Sequence, residues 1–500
     1  MKMAFVIYRA EFSIPLGVAY CAAVLNERGF QYQVFEVGTD PDRSIQEIIE
    51  YDPDAVGASV YSGSHLILLD FFSRLKEKLD FVGIFGGPHA TFFPEIIHSP
   101  AVDAVCRGEG ELALAEFMEK YRDAGSIPTD VNNFWVKQAG RIIQNPVRPL
   151  VSELDTLPIP DRLTFVNKFP VTNVRGIIDF IAHRGCPYYC TFCFNHAFNR
   201  IYGLSGKSCY HSRHPDQVCR EINLERGRMN LKMVSFVDDC FALDKAWTLD
   251  FCEKYRQEVD LPFRINTRVE HLDADRIQAL AGANCWLVVL GVEAGNEEYR
   301  RRVLKRDMSN RVLVETIKAC RAAGIRVVTE NIIGLPVETY EQALETLKLN
   351  VEASPDYAAA TYFTPYPRLE LTDFAVEQGA YAGGADEFPT SYMHSSLLTF
   401  ASAKDKRRIV NLRSFFNLGV HHPYLWPLFQ FLIGRPPNSL FRLIGEAADG
   451  YYLWKLLPRS TGAKKLPRLI WQYLVSYRKV IQGAAGEPGG PDRGGTGKSE

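Results

Sequence analysis

The sequence has no run of 18 or more apolar residues, so no segment is predicted to span a membrane. Its first apolar stretch, residues 4–8, is far too short for a secretory signal core. The eleven cysteines are scattered through a long chain and do not form a disulfide-like pattern, which fits buried thiols or metal ligands in a reducing compartment. These absences predict a cytoplasmic protein.

A strong net charge is also missing, but the near-neutral total of −2 hides an asymmetry. Residues 401–480 contain 14 Lys and Arg against 3 Asp and Glu, whereas residues 1–400 carry a balance of −12. The acidic body excludes a general nucleic-acid binder. We interpret the basic part either as a cap whose charges are solvated or as a region that makes peripheral contact with a membrane.

Hydrophobic patterning predicts an α/β protein built from two series of strands and helices. The first series, in residues 1–135, has strand-like runs at 4–8, 32–37, 55–60, 81–85 and 101–106. Short connections between these runs predict a doubly wound, flavodoxin-like parallel sheet. The second, in residues 172–385, has runs at 177–182, 233–237, 263–267, 286–292, 327–333 and 359–364. Six repeats predict a partial (β/α)₆ barrel, because a closed barrel needs eight.

The remaining segments have a different composition. Residues 136–171 include four prolines between 145 and 160 and are predicted to be a linker. Residues 386–480 are basic and aromatic and are predicted to be helical. Residues 481–500 contain seven Gly and two Pro and are predicted to be disordered.

Three cysteines fall within eight residues directly after the first barrel strand: Cys186, Cys190 and Cys193. Their spacing would also suit one face of a helix packed in a core, but Gly185 and Pro187 favour a loop. A zinc site completed by a histidine is a second alternative. A third is an iron–sulfur cluster, in which three thiolates leave one iron open to another ligand.

The triplet, with Phe192 before its last cysteine, resembles the C-x₃-C-x-aromatic-C motif of the radical SAM superfamily. The resemblance implies that the three cysteines hold a [4Fe-4S] cluster whose open iron binds S-adenosylmethionine (SAM). It also implies that reductive cleavage of SAM gives a 5′-deoxyadenosyl radical, with a partner such as flavodoxin or ferredoxin as reductant. Later strand ends match the pattern in order. By the same resemblance, the SAM contacts are Phe192, Arg213, Asp238, Arg268, Glu293 and Ile333.

The sixth strand end departs from that pattern. Relatives often have glycine after T-P-Y-P, whereas here Arg368 follows Pro367. The loss of glycine removes backbone freedom at the barrel mouth and weakens the transfer of any particular substrate.

The first domain resembles the cobalamin (B12)-binding branch of the superfamily, on the loops at residues 15–17, 86–89 and 108–111. The resemblance implies cobalamin contacts at Leu16, Gly17, Ser59, Tyr61, Gly86, Gly87, His89, Gly108 and Glu109. Glycine at strand ends lets the backbone approach a flat ligand. The D-x-H-x-x-G signature that supplies a histidine to cobalt is absent, so the implied mode has no imidazole below the metal and Tyr61 there instead. A vestigial domain without cobalamin is the alternative.

The combined pattern predicts a cobalamin-dependent radical SAM enzyme, a C-methyltransferase acting at an unactivated carbon of a small-molecule or lipid-like substrate. A cyclase or rearrangement enzyme of the same architecture is the nearest alternative. A non-catalytic metal- or corrinoid-binding protein is the second.

Overall fold

The computed structural model describes residues 1–8, 14–38, 40–169, 175–382 and 396–458. The N-terminal domain is a parallel sheet flanked by helices. Its strands are β1 (Lys2–Tyr8), β2 (Gln31–Val37), β3 (Ala55–Ser59), β4 (Val82–Gly86) and β5 (Ala104–Cys106). Its helices are α1 (Leu16–Glu27), α2 (Pro41–Tyr51), α3 (His65–Lys76), α4 (Gly87–Phe92) and α5 (Glu111–Ala124). The strand order β2-β1-β3-β4-β5 is the flavodoxin-like order, which confirms the predicted fold class.

A hairpin extends this sheet beyond β5. Strands β6 (Phe134–Gln138) and β7 (Arg141–Gln144) pair antiparallel, and β6 pairs with β5. The hairpin crosses the predicted boundary at residue 135, and helix α6 (Arg162–Lys168) lies near the end of the predicted linker. The four prolines lie between β7 and α6, in a stretch whose one regular element is a short 3-10 turn at Leu154–Thr156.

The second domain is an open barrel of six parallel strands in the order β15-β14-β13-β12-β11-β8. They are β8 (Ile177–Phe180), β11 (Met233–Phe236), β12 (Phe263–Thr267), β13 (Cys285–Glu293), β14 (Arg326–Ile333) and β15 (Tyr357–Tyr362). Two short strands, β9 (His183–Arg184) and β10 (His211–Ser212), pair beside the first of them. All six predicted barrel strands are present.

Helices cover the outside of this barrel. They are α7 (Phe194–Tyr202), α8 (Pro215–Arg226), α9 (Lys245–Glu258), α10 (Ala274–Gly282), α11 (Glu297–Arg302), α12 (Asn310–Ala322), α13 (Tyr340–Ala353) and α14 (Glu370–Glu377). Alternate strand residues pack against them: Val288 and Leu290 share a core with Leu313. The intervening residues therefore point into the barrel lumen.

The C-terminal region is helical where the structure describes it. Helix α15 (Ala403–His421) packs on α13 and β15, and α16 (Trp426–Ile433) and α17 (Ser439–Leu456) pack on α15. Gly445 lets α17 approach α15 closely, since a Cβ there would lie 2.6 Å from the Ser414 carbonyl oxygen. Residues 386–395 and 459–500, which include the predicted tail, lie outside the described residues. No described helix is both long and apolar enough to cross a membrane.

Candidate functional site

The cysteine triplet lies on a loop between β9 and α7, at the carboxyl end of the first barrel strand. The loop begins at Gly185, whose φ is +84°, and a Cβ there would lie 2.0 Å from the Cys209 carbonyl oxygen. Only glycine fits that position. Further along, the Asn199 side chain donates to the Cys186 carbonyl (2.9 Å), and the Cys193 amide donates to the Cys190 carbonyl (3.1 Å). These contacts fix the backbone that presents the thiols.

All three thiols are unbridged and suited to a cluster. Burial, with a smaller contribution from the charge of another cysteine of the triplet, raises the pKa of Cys186 and of Cys193 to about 12. A metal must displace these protons on binding. In the part of the chain that the structure describes, no three His, Cys, Asp or Glu side chains are placed to hold one metal ion. A [4Fe-4S] cluster needs no common metal ion for the three thiolates, because each thiolate binds its own iron.

Arg268 lies directly against the cysteine loop, as predicted for a SAM contact. Its Nη1 is 3.5 Å from the Cys190 Sγ, and its guanidinium stacks 3.7 Å from the centre of the Tyr188 ring. Glu270 accepts from its Nε and Nη2 (3.1 and 2.5 Å). This pairing fixes the orientation of the guanidinium and leaves Nη1 beside the sulfur.

Glu293 ends β13 on the same side of the barrel. Burial raises the pKa of Glu293 to about 7, although Arg306 opposes the shift with its Nη1 3.6 Å from the Glu293 Oε1. Gly291 makes room for this carboxylate, since a Cβ there would lie 2.2 Å from the same oxygen. A buried carboxylate with one distant cationic partner can accept from an ammonium or hydroxyl group.

Phe192 packs with the ends of strands β13 and β14, in a cluster that includes Ala294, Leu335 and Ile332. Ile333, which was predicted to flank the adenine, instead points outward and packs against Tyr340 and other residues of the outer helices. Successive strand residues point to opposite faces, so the lumen-facing residue at this strand end is Ile332.

Two other predicted SAM contacts are engaged elsewhere in the structure. Arg213 donates to Asp155 (2.9 Å) and to Glu221 (2.5 Å), which ties the segment before the barrel to α8. Asp238 is buried and accepts from the backbone amides of Ala182 and His183 and from the His183 ring. Its carboxylate joins two strand ends and is not presented to the cavity.

The residue after Asp238 was missed and lies nearer to the thiols. Asp239 is exposed to solvent, yet the protein around it raises its pKa by desolvation. Its charge also raises the pKa values of Cys186 and Cys193. Asp239 therefore lines the recess that contains the cysteine loop. The sequence signal was the doubled aspartate at a strand end, which does not reveal which of the two faces the recess.

The barrel lumen beneath this recess is polar. Asp179, Ser235 and Arg264 lie in one register row across β8, β11 and β12, and the Arg264 Nε donates to the Ser235 Oγ (2.8 Å). Glu330 points inward from the middle of β14. Its side chain is exposed to solvent in the open lumen, yet the surrounding protein raises its pKa by desolvation, although Arg264 opposes the shift. An acidic residue in the middle of a predicted strand was the signal that sequence reasoning overlooked.

Strand ends of the N-terminal sheet form an open crevice. A Cβ at Gly17 or Gly63 would meet no atom within 4 Å. Tyr61 follows β3 and is 55% exposed, and desolvation still raises its pKa, as expected for a side chain in a recess that is open to solvent. Half-buried Ser59 and Gly86 end the adjacent strands. A glycine-lined crevice of this kind fits a flat, amide-fringed ligand such as a corrinoid.

His89 is held inside the protein. Its Nδ1 lies 3.0 Å from the Ser62 Oγ, its ring stacks on His65 at 4.2 Å, and desolvation lowers its pKa to about 4. The His89 ring is therefore engaged by protein groups of this loop, and the absence of a histidine ligand to cobalt stays a prediction. Gly87, beside it, begins helix α4.

Three of the predicted cobalamin contacts serve other purposes. Leu16 is buried in the core of the first domain. Gly108 has a φ of +75°, and a Cβ there would overlap the Tyr202 hydroxyl, so α7 of the barrel lies directly on this loop. Glu109 accepts from the Val151 amide (2.8 Å) and from the Arg184 Nη1 (2.9 Å). Gly108 and Glu109 thus bind the barrel domain.

Arg368, the departure at the sixth strand end, reaches the first domain. Its guanidinium donates to the Phe92 carbonyl and to Glu95 (2.8 Å), and it stacks on the Phe93 ring at 4.9 Å. Phe92 also contacts Phe194, the residue that follows the cysteine triplet (4.6 Å between ring centres). These contacts join the carboxyl ends of the two parallel sheets, so the crevice of one domain opens beside the cysteine loop of the other.

The structure thus has two sites side by side. One is the crevice of the flavodoxin-like domain, and the other is the loop with three free thiols at the mouth of the open barrel. This arrangement indicates a class of enzyme with two cofactor sites. Residues 180–349 match the Radical SAM superfamily model, and residues 4–118 match the B12 binding domain model. The chain therefore contains a Radical SAM domain and a B12 binding domain. Its cofactors are a [4Fe-4S] cluster, SAM and cobalamin, and the donor sets described above fit them.

Named relatives include proteins of two activities. The chain is 28% identical over 372 residues to an uncharacterised methyltransferase of Pyrococcus horikoshii, covering 72% of this chain and 78% of that protein. It is 26% identical over 440 residues to the anaerobic magnesium-protoporphyrin IX monomethyl ester cyclase of Rubrivivax gelatinosus, covering 79% and 76%. The radical SAM methyltransferase TsrM from Kitasatospora setae, solved with cobalamin and cluster, superposes with a TM-score of 0.62 at 15% identity, covering 76% of this chain and 75% of that one. That likeness shows the fold.

Proposed function

We propose that this enzyme is a C-methyltransferase that acts at an unactivated carbon of a small molecule. When bound, the cluster and SAM supply a radical that removes a hydrogen atom from the substrate, and cobalamin supplies the methyl group. The observation that carries the proposal is the meeting of the two sheet ends at Arg368 and Phe92, which sets the corrinoid crevice beside the cysteine loop.

In this proposal the chain's own residues hold and orient the cluster and SAM. Cys186, Cys190 and Cys193 bind the cluster. The Arg268 guanidinium, fixed by Glu270, presents its free edge to the SAM carboxylate, and Glu293 accepts from the SAM amine or ribose. Phe192 supplies an apolar wall.

The proposed cobalamin site is formed by strand ends of the first domain. Gly17, Ser59, Gly86 and Gly87 would let the backbone approach the corrinoid, and Tyr61 would face it from the loop after β3. Cleavage of SAM consumes an electron, so a small one-electron carrier such as flavodoxin or ferredoxin is the proposed partner.

The polar lumen of the barrel indicates which kind of substrate would fit. Glu330 and Arg264 line the space under the recess, and burying a charged side chain against a purely apolar molecule is costly. We therefore propose a substrate whose end in the lumen is polar. A lipid-like substrate fits only if it is amphiphilic.

Radical cyclisation without methyl transfer is the second candidate, and it is supported by the relative named as a cyclase, which aligns with 79% of this chain. The two reactions differ in how SAM is consumed. Methyl transfer uses one SAM as methyl donor and one as radical source, whereas cyclisation uses SAM only as radical source.

The test is an anaerobic incubation of the reconstituted enzyme with SAM, a reductant and polar metabolite fractions. Formation of both S-adenosylhomocysteine and 5′-deoxyadenosine, with a product heavier by one CH₂, is the expected result. Formation of 5′-deoxyadenosine alone, with no gain in mass, would assign the cyclase reaction instead. Cys190→Ala should abolish both products, whereas Cys252→Ala, a buried cysteine of α9 outside the site, should retain them.

A further inference from the structure

Helices α16 and α17 present apolar faces to solvent. On α16 and the turn before it, Tyr424, Leu425, Leu428 and Phe431 recur at helical spacing and are 37–74% exposed. The opposite face, with Phe429 and Ile433, is buried against α15. This helix is thus apolar on both sides, although only one side has a partner among the described residues.

Helix α17 likewise has one buried and one exposed apolar stripe. Leu440, Leu443, Tyr451 and Trp454 lie along one stripe and are 40–60% exposed. The opposite stripe, with Phe441, Ala448 and Tyr452, is buried against α15 and the barrel strands. An exposed stripe of large apolar residues along a helix of 18 residues is unusual for a surface that faces only water. We call these two stripes together the C-terminal apolar face.

Three basic side chains, Arg435, Arg442 and Lys455, border this face. The Arg435 guanidinium lies 4.3 Å from the centre of the Phe431 ring, and the Lys455 ammonium lies 4.5 Å from that of Tyr451. Arg442 is exposed between the leucines of α17, with Glu446 3.9 Å away. Residues 422–458, which contain α16 and α17, have 3 Lys and Arg against 2 Asp and Glu, and one of the two, Asp449, pairs with Arg413 of α15 (3.0 Å). Long basic side chains beside exposed aromatic rings are the pattern of helices that lie in the interface of an anionic bilayer.

We propose that the C-terminal apolar face docks on an anionic lipid bilayer, with α16 and α17 lying in the interfacial plane. Charge complementarity favours this occupant over a second copy of the chain, because a second copy would bring another set of basic side chains to this face, whereas an anionic bilayer presents the opposite charge. The proposal requires none of the cofactor chemistry. It extends the proposed function by placing the enzyme where an amphiphilic substrate would concentrate.

The test is sedimentation of the full-length protein with vesicles of phosphatidylcholine alone or mixed with phosphatidylglycerol. The mixed vesicles should bind the protein, and added salt should weaken the binding. Leu428→Asp with Phe431→Asp should lower the partition coefficient at least about tenfold, because both side chains would enter the bilayer. The matched control is Leu224→Asp with Val376→Asp, two exposed apolar residues of the barrel helices, which should bind as the parent does.

Several outcomes would overturn the proposal. One is no binding to the mixed vesicles, which would mean that the face is covered by other residues of the chain or simply solvated. Another is equal binding by both double variants. A third is a dimer that the α16 substitutions dissociate while vesicles are not bound. Because vesicle binding needs no cofactor, and the product assay needs no vesicles, failure of one proposal leaves the other to be judged separately.

Discussion

The position of single atoms decides whether the cysteine loop can present its thiols. Gly185 passes so close to the Cys209 carbonyl that no side chain fits there. The three cysteines follow within eight residues, so a shift at Gly185 is transmitted to all of them.

Gly185→Ala is therefore expected to lower iron incorporation severely without unfolding the protein. The added Cβ must displace backbone, and the positive φ adds a cost of about 1 kcal/mol. Gly282→Ala is the control, because a Cβ at Gly282 meets nothing within 4 Å. Iron and sulfide per chain after anaerobic reconstitution give the measurement. Full cluster content in Gly185→Ala would show that the loop is more tolerant than its geometry indicates.

Glu338 allows a prediction of how the stability of the protein depends on pH. It is buried, its Oε2 accepts from the Gly334 and Leu335 amides (2.6 and 3.1 Å), and desolvation raises its pKa to about 8. Because this value lies above the ordinary 4.5, the contribution to stability is complete below pH 4.5 and is lost as the pH rises through 8.

Glu338→Gln should flatten this dependence, since an uncharged amide oxygen can accept the same two bonds. We expect the free energy of unfolding of the parent, relative to that of the variant, to fall by a few kcal/mol between pH 5 and 9. Urea unfolding at a series of pH values measures the difference. Parallel pH profiles would refute the assignment.

At the level of residues, a motif that identifies a residue by its type gives a more specific prediction than one that identifies only a strand end. The spacing of the cysteines and Phe192 was sufficient to identify their loop. At the ends of β11 and β14, however, the sequence could not distinguish Asp238 from Asp239, or Ile333 from Ile332. A one-residue slip moves a side chain to the opposite face of a strand, and nothing local reveals that slip.

At the scale of elements, the loop after β15 connects the two domains. Arg368 adopts a φ of +68°, a conformation that costs a residue with a Cβ about 1 kcal/mol. Contacts with Phe92, Phe93 and Glu95 offset that cost. The missing glycine, which weakened the sequence comparison, is thus explained by an interdomain contact that no local pattern could predict. The β6–β7 hairpin was missed for a related reason, because its pairing with β5 is a tertiary contact.

Two substitutions of Arg368 separate backbone strain from the interdomain contact. Arg368→Ala loses the contact and keeps the strain, whereas Arg368→Gly loses both. We expect faster hydrogen exchange in residues 94–98 for both variants, and a free energy of unfolding about 1 kcal/mol higher for Arg368→Gly than for Arg368→Ala. Equal stabilities would show that the positive φ carries no strain, and unchanged exchange would show that the domains are held together elsewhere.

Across the whole molecule, the C-terminal region completes the barrel in addition to covering it. Lumen-facing Leu287, Val289 and Val328 share a core with Tyr452 and Leu456 of α17, and the Trp286 Nε1 donates to the Leu456 carbonyl (2.6 Å). The fold class of both domains followed from hydrophobic periodicity, but composition could not show that one stripe of this aromatic helix forms the floor of the lumen. Tertiary contacts alone divide the residues of α17 between barrel and solvent.

Two adjacent tyrosines test whether one stripe of α17 belongs to the core and the other to the exposed apolar face. Tyr452 is buried and stacks on His421 at 3.9 Å, so Tyr452→Ala should cost about 3–5 kcal/mol of stability, as large-to-small changes in cores do. Tyr451 is 50% exposed, so Tyr451→Ala should change stability by no more than about 0.5 kcal/mol. The vesicle assay should give the reverse order: Tyr451→Ala weakens binding, while folded Tyr452→Ala binds as the parent does. If both substitutions destabilise the fold equally, or both leave vesicle binding unchanged, the two faces of α17 do not have the separate roles argued for them.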